Sequence, residues 1–197
     1  MPEFVVLVDE NDNEIGAEEK IKAHQNGGKL HRAISVFVFN SKNELLLQRR
    51  ALTKYHSPGL WANTCCSHPR PGESIEHAAR RRLNEEMGFT CDLKEVFSLI
   101  YKAEVGNGLT EHEYDHIFIG FWEGVPKPNP EEVCEWRWSN MDEIERDMKE
   151  NPGKYAPWFR ILFPRVREYL GKKSEKWGAR LTSSKCITLS SSLSKNN

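Results

Sequence analysis

The sequence predicts an α/β (α+β) protein, a mixed β-sheet core flanked by helices and forming a single domain. Three observations predict it. Short runs rich in β-branched and aromatic residues recur between turn-forming clusters. One stretch, Ser74 to Met87, carries clear helical periodicity instead. A chain of 197 residues with 38% hydrophobic residues has enough apolar material for one core.

The elements follow in order. Phe4 to Val8 is a β-branched run, ended by the turn chemistry of Asp9-Glu10-Asn11-Asp12-Asn13. Ala17 to Ala23 reads as a short helix, and Gln25-Asn26-Gly27-Gly28 forces a loop between His24 and His31. Ala33 to Asn40 and Glu44 to Arg49 read as a β-hairpin turning at Ser41-Lys42-Asn43. Pro58-Gly59 and Pro69-Arg70-Pro71-Gly72 pin the Trp61–His68 segment at both ends. In the central helix Ile75, Ala79 and Leu83 share one face, with Ser74 as N-cap and Gly88 as C-cap. Strands are expected at Leu93–Ala103, Glu113–Trp122 and Cys134–Trp138, and helices at Met141–Met148 and Trp158–Leu170. From Gly171 the chain turns to Ser, Lys and Asn, so a domain over residues 1–170 and a mobile tail over 171–197 are expected.

Composition excludes several classes. A charged fraction of 29% with net charge −1 offers no field for nucleic acid or an anionic membrane. No apolar run approaches the ~18 residues of a membrane span. Met1-Pro2-Glu3-Phe4 does not begin a secretory signal. Five cysteines, none in a Cys-x-x-Cys pair, point to reduced thiols in a cytoplasmic chain.

The residues that carry chemistry fall into four groups. His24, His31, His68, Glu111 and Glu113 are metal-type ligands, and imidazole with carboxylate suits a divalent ion such as Mn²⁺, Mg²⁺ or Zn²⁺. Glu111 and Glu113 point the same way in a strand. Most single histidines are ordinary surface or core residues, and the His24/His31 spacing is no zinc signature. Cys66, next to Ser67-His68, becomes a proton-exchanging thiol if a metal or cation lies close. A buried structural role is the commoner fate of a cysteine, and Cys65 fits it better. Arg49, Arg50, Lys54 and Lys20 supply positive charge suited to a diphosphate. Trp61, Tyr101 and Trp158 are aromatic, and most such residues simply pack.

The segment Ser67–Phe89 resembles the Nudix box, G-x5-E-x7-R-E-U-x-E-E-x-G-U. Glu73, Arg81, Leu83, Glu85, Glu86 and Gly88 match it. Ser67 replaces the first Gly, and Arg82 replaces a carboxylate. A cation there repels a metal and attracts a phosphate oxygen. The same residues also form ordinary i,i+4 pairs, Arg81 with Glu85 and Arg82 with Glu86.

With Trp61-Ala62-Asn63-Thr64-Cys65-Cys66-Ser67-His68-Pro69, Tyr101-Lys102-Ala103, Glu111-His112-Glu113 and Ala156-Pro157-Trp158-Phe159, this helix resembles the type I isopentenyl-diphosphate isomerases over about residues 4–170. The resemblance implies a Nudix-like fold and interconversion of isopentenyl and dimethylallyl diphosphate in isoprenoid synthesis. It implies Cys66 and Glu113 as the acid/base pair, with Tyr101 assisting. Lys20, Arg50, Lys54 and Arg82 then bind diphosphate, and Trp158 faces the isoprenoid cation. His24, His31, His68, Glu111 and Glu113 hold one divalent ion, and Glu86 holds a Mg²⁺ that arrives with the diphosphate. The expected partner is a small isoprenoid diphosphate, with no nucleic acid and no membrane insertion, in a monomer or weak homodimer. Residues after Gly171 match nothing in the family. A Nudix pyrophosphohydrolase acting on a nucleoside diphosphate derivative, a non-catalytic metal-binding protein and a cysteine hydrolase are the alternatives that the residues leave open.

Overall fold

The computed structural model describes residues 2–183. It divides after Leu162 into two compact units, 1–162 and 163–197. The first unit carries a mixed sheet of nine strands. They are β1 (Phe4–Val8), β2 (Glu14–Glu19), β3 (His31–Phe39), β4 (Leu45–Arg50), β5 (Trp61–Ala62), β6 (Cys65–Ser67), β7 (Leu93–Gly106), β8 (Leu109–Phe121) and β9 (Val133–Ser139). Its helices are α1 (Lys20–His24), α2 (Ile75–Met87), α3 (Met141–Glu150) and the start of α4 (Pro157–Ser183).

The fold class read from the sequence holds, and the differences are local. Residues 14–19 extend as β2 against β1, so the expected first helix shrinks to α1. The expected hairpin is a corner. β3 and β4 share only the Phe39↔Leu45 pairing, after which β4 turns away to pair with β9 along its length. β3 runs parallel to β8 from His31↔Glu113 to Phe39↔Phe121. On its other side it meets β1 at Leu7↔His31 and β6 over Ile34–Val36. The pinned Trp61–His68 segment contributes two short strands. β7 and β8 form a long hairpin turning at Asn107-Gly108, where φ values of 54° and 71° fit the left-handed turn that Asn-Gly favours.

α2 behaves as its sequence requires. Ser74 Oγ accepts from the His77 amide, which is worth about 1 kcal/mol for such a cap. Ala79, Leu83 and Met87 bury against Ile34, Val36, Val38 and Phe118. Glu73 holds Arg81 through two 2.7 Å bonds, and this pairing leads the causes that hold its carboxyl down at about 2. Gly88 closes the helix with φ of 74°, and a β-carbon there would collide with the carbonyl of Lys127.

The last helix, expected to end at Leu170, runs on to Ser183. A lone glycine such as Gly171 lowers helix propensity by about 1 kcal/mol without stopping the helix. The rest of the expected tail, 184–197, lies outside the described residues.

Both the backbone angle and the close carbonyl demand glycine at position 88. Gly88→Ala is expected to lower stability by more than about 1 kcal/mol, read as a lower urea midpoint at constant slope. An unchanged midpoint would show that the Lys127 segment yields freely.

Candidate active site

Strand register builds the site. His31 opens β3 directly opposite Glu113 on β8, and Tyr101 on β7 lies opposite Glu113 from the other side. His24 ends α1, and His68 follows β6. Ligand atoms of His24, His31, His68 and Glu113 all lie within 4.8 Å of one another. His24 Nδ1 and His31 Nδ1 each lie 2.7 Å from a backbone carbonyl, those of Lys20 and Lys29. A carbonyl only accepts, so both Nδ1 atoms carry the hydrogen and both Nε2 atoms present a bare lone pair. His31 Nε2 lies 3.1 Å from His68 Nε2, and His24 Nε2 is buried without a hydrogen-bond partner among the described residues. His68 Nε2 also lies 2.9 Å from Glu113 Oε1. Burial pulls His68 down to about 3 and lowers His24 as well, so both rings are neutral at pH 7. Converging imidazole lone pairs beside a carboxylate fit a divalent ion.

Glu111 stands beside this group. The Tyr101 hydroxyl bridges the two strand carboxylates, 2.5 Å from Glu113 Oε2 and 3.0 Å from Glu111 Oε2. Burial pushes Glu111 well up, and Glu113 adds to the effect. Burial also acts on Glu113, but the hydrogen bond from His68 Nε2 outweighs it and holds the carboxyl low.

The pleat separates the two adjacent cysteines. Cys65 joins the apolar cluster under α2, whereas Cys66 lies opposite Ser35 and lines the cleft. Trp158 Nε1 donates to Cys66 Sγ at 3.0 Å, and the thiol donates to Asn63 Oδ1 at 2.8 Å. Burial, reinforced by Asp115, pushes the Cys66 thiol well above its ordinary range, so it holds its proton at neutral pH.

Cys66, Trp158, His68, Glu111 and Glu113 line one cleft of about 460 Å³, measured out to its open mouth. Lys20, Arg50, Lys54 and Arg82 line it as well. Lys20 pairs with Glu3 at 2.8 Å, and Lys54 with Glu132 at 2.5 Å. Arg82 pairs with Glu85, Glu86 and Glu132 at 2.8, 2.7 and 3.1 Å. Burial opposes the Arg82 charge, yet Glu86 and Glu132 hold the guanidinium above its ordinary value. Burial likewise opposes charge on Glu132, while Lys54 and Arg82 bring it to about 2. Arg50 differs. It is buried, no carboxylate pairs with it among the described residues, and its Nη2 donates only to the His56 carbonyl. Arg49 faces away, to Glu135 and the Gly59 carbonyl, and Trp61 packs under Arg137, so neither joins the cleft.

The comparisons bear on this geometry. The NUDIX domain family matches residues 29–159. The chain is 49% identical to isopentenyl-diphosphate Delta-isomerase 2 of Aromatoleum aromaticum, over 92% of this chain and 98% of that protein. It is 51% identical to the isopentenyl-diphosphate Delta-isomerase of Pectobacterium atrosepticum, over 84% of this chain and 92% of that one. The chain belongs to the isopentenyl-diphosphate Delta-isomerase family. Solved structures agree on the fold. A Deinococcus radiodurans protein superposes with a TM-score of 0.70 at 18% identity, over 83% of this chain and 98% of its own. The MutT protein of Methanosarcina mazei Go1 gives 0.58 at 20% identity, over 71% and 94%.

In this isomerase-family chain, sequence reasoning missed several cleft residues. Tyr55 and His56 lie on the loop between β4 and β5, which is tied to the β7–β8 tip by Asn107 Nδ2 to the Tyr55 carbonyl at 2.8 Å. Burial, with Arg50 nearby, brings His56 down to about 2. Glu132 precedes β9 and reaches the cleft through its pairs with Lys54 and Arg82. Asp115 continues the Glu111, Glu113 alternation, a signal that could have exposed it.

Removal of one imidazole should empty the metal-type group. His31→Ala is expected to lower bound divalent metal from about one ion per chain to a small fraction, with the circular dichroism spectrum retained. Elemental analysis of the purified protein reads this, and unchanged metal content would exclude the four-residue group.

Proposed function

We propose that this chain interconverts isopentenyl and dimethylallyl diphosphate, supplying the allylic diphosphate of isoprenoid synthesis. The observation that carries the reading is Arg50. A buried guanidinium without a carboxylate partner, in a cleft shared with the Cys66 thiol and the Glu113 carboxylate, suits an anionic substrate brought to proton chemistry.

The reaction adds a proton to the terminal alkene carbon and removes one from the carbon nearer the diphosphate. Atoms balance with one proton in and one out, through a tertiary cation. Cys66 and Glu113 are the two proton-exchanging groups. Tyr101 holds Glu113 in place through its hydroxyl, which also lies 3.0 Å from Glu111. Trp158, 2% exposed, offers an aromatic face to the cation and keeps water from it. Arg50 lies 5.0 Å from the Trp158 ring and so carries the anionic end of the substrate close to it. Lys20, Lys54 and Arg82 complete the diphosphate clamp by exchanging Glu3 and Glu132 for phosphate oxygens.

His24, His31, His68 and Glu113, with Glu111 adjacent, hold a divalent ion, Mn²⁺, Mg²⁺ or Zn²⁺. Bound there, it fixes Glu113 and tunes its basicity. Glu86, which receives Gln48 Nε2 at 2.9 Å, takes the Mg²⁺ that accompanies the diphosphate.

Proton NMR with isopentenyl diphosphate and Mg²⁺ in D₂O tests the reading. Dimethylallyl diphosphate carrying deuterium is expected, and EDTA should abolish its appearance. Unchanged substrate, or phosphate release from a nucleoside diphosphate derivative, would favour a hydrolase instead. Cys66→Ala and Glu113→Gln should each lower turnover by at least about 10²–10⁴-fold with the fold intact. Near-parental turnover in either would remove that residue from the proton path.

A further inference from the structure

Asn63 lies in the link between β5 and β6 and is completely buried. It does not line the cleft. Its Nδ2 donates to the Val36 carbonyl at 3.2 Å and to the Cys65 carbonyl at 2.9 Å. Two backbone carbonyls accept at that end, so the nitrogen must sit there and Oδ1 must face Cys66. The orientation of the amide is therefore decided by its surroundings.

An amide oxygen only accepts, and an indole N–H only donates. Cys66 Sγ lies between one of each, 2.8 Å from Asn63 Oδ1 and 3.0 Å from Trp158 Nε1. Both contacts are satisfied together when the sulfur carries its hydrogen toward Asn63 and receives the indole N–H on a lone pair. The thiol then has one rotamer and one hydrogen direction. Ser35 Oγ, at 3.8 Å, adds only a weak contact. Thr64 anchors the same link, accepting from the Val38 amide at 2.9 Å and donating to the Leu46 carbonyl at 2.7 Å. Asn63 is thus held by β3 and β6 and cannot follow the thiol if it rotates.

We propose that Asn63 is a positioning residue for Cys66, its carboxamide oxygen fixing the rotamer and hydrogen direction of the thiol in the cleft. The inference rests on Cys66 being one of the two proton-exchanging groups. Without Asn63 the sulfur keeps the Trp158 contact and the weak one from Ser35, has no acceptor for its hydrogen on that side, and swings about its Cα–Cβ bond. Misplacement on the scale of 1 Å costs about 10²-fold in a proton transfer. The diphosphate clamp, built from Lys20, Arg50, Lys54 and Arg82, is untouched.

The test uses the full chain and Asn63→Ala. Turnover should fall about 10–100-fold while KM for isopentenyl diphosphate stays within about twofold. A residue that merely supports the fold would raise KM and lower thermal stability together. Infrared spectroscopy supplies a second readout. The S–H stretch of Cys66, isolated by subtracting the Cys66→Ala spectrum, should lie at low wavenumber in the parent and move up in Asn63→Ala. Where Asn63→Ala fails to fold, Asn63→Ser is measured, since its hydroxyl stays near the carbonyls but ends short of the thiol. Parental turnover together with an unmoved S–H band overturns the proposal. A parent chain that does not isomerise the substrate sinks the functional reading instead, and the S–H band still decides whether Asn63 orients the thiol.

Discussion

The parallel pairing of β3 with β8 is the constraint on which the site depends. It sets His31 opposite Glu113 and carries that alignment through Phe39↔Phe121. Side chains alternate along a strand, so a slip of one residue would turn Glu111, Glu113 and Asp115 out of the site and send His112 and Tyr114 in. Register is enforced by burial on both faces. Ile34, Val36 and Val38 pack under α2, while Phe37 stacks against Phe159 at 6.3 Å between ring centroids. The apolar residues of β3 thus hold the polar ones in place.

That register concentrates charge where water is scarce. Glu111, Glu113 and Asp115 are all buried on one face of β8, and neither Asp115 oxygen has a hydrogen-bond partner among the described residues. Buried charges persist only when paired, shared or protonated. Glu113 is paired with two imidazoles and a phenol, whereas burial and the neighbouring carboxylates push Glu111 and Asp115 up toward their neutral forms. A divalent ion held by the imidazole group would relieve the same crowding.

The sequence disclosed these parts unevenly. α2 was legible because its cap, periodicity and closing glycine all act within one helix. The Cys66–His68 loop was legible because prolines and glycines bracket it. The β3–β4 corner was not, since a hairpin and a corner share the same turn chemistry and differ only in what β4 meets afterwards. The helix expected over Ala17 to Ala23 gives way at residues 17–19, where pairing with β1 overrides the helical preference of Ala and Glu. Of the site, the histidines and Glu113 were expected together and lie together, while Arg49, as cationic as Arg50 and adjacent to it, points the other way. His56, Asn63 and Glu132 join the site only through tertiary contacts between β4, β6, α2 and β9, which no local spacing records.

The box helix shows how one substitution redirects a scaffold. Of its carboxylates, Glu73 is occupied by Arg81, Glu85 is shared by Arg81 and Arg82 at the surface, and Glu86 alone reaches the cleft. Arg82 places a guanidinium where the box pattern has a carboxylate. A second carboxylate at that place would draw metal onto the phosphorus and favour attack by water. On the proposed function, the guanidinium would instead neutralise a phosphate oxygen without activating a nucleophile, and Glu132, paired with it at 3.1 Å, holds it in position. The diphosphate would then serve as an anchor. On that proposed function, the phosphorus would go unattended and the reactive end of the substrate would fall to Cys66, Glu113 and Trp158, so that a helix of the NUDIX box would serve proton transfer at carbon.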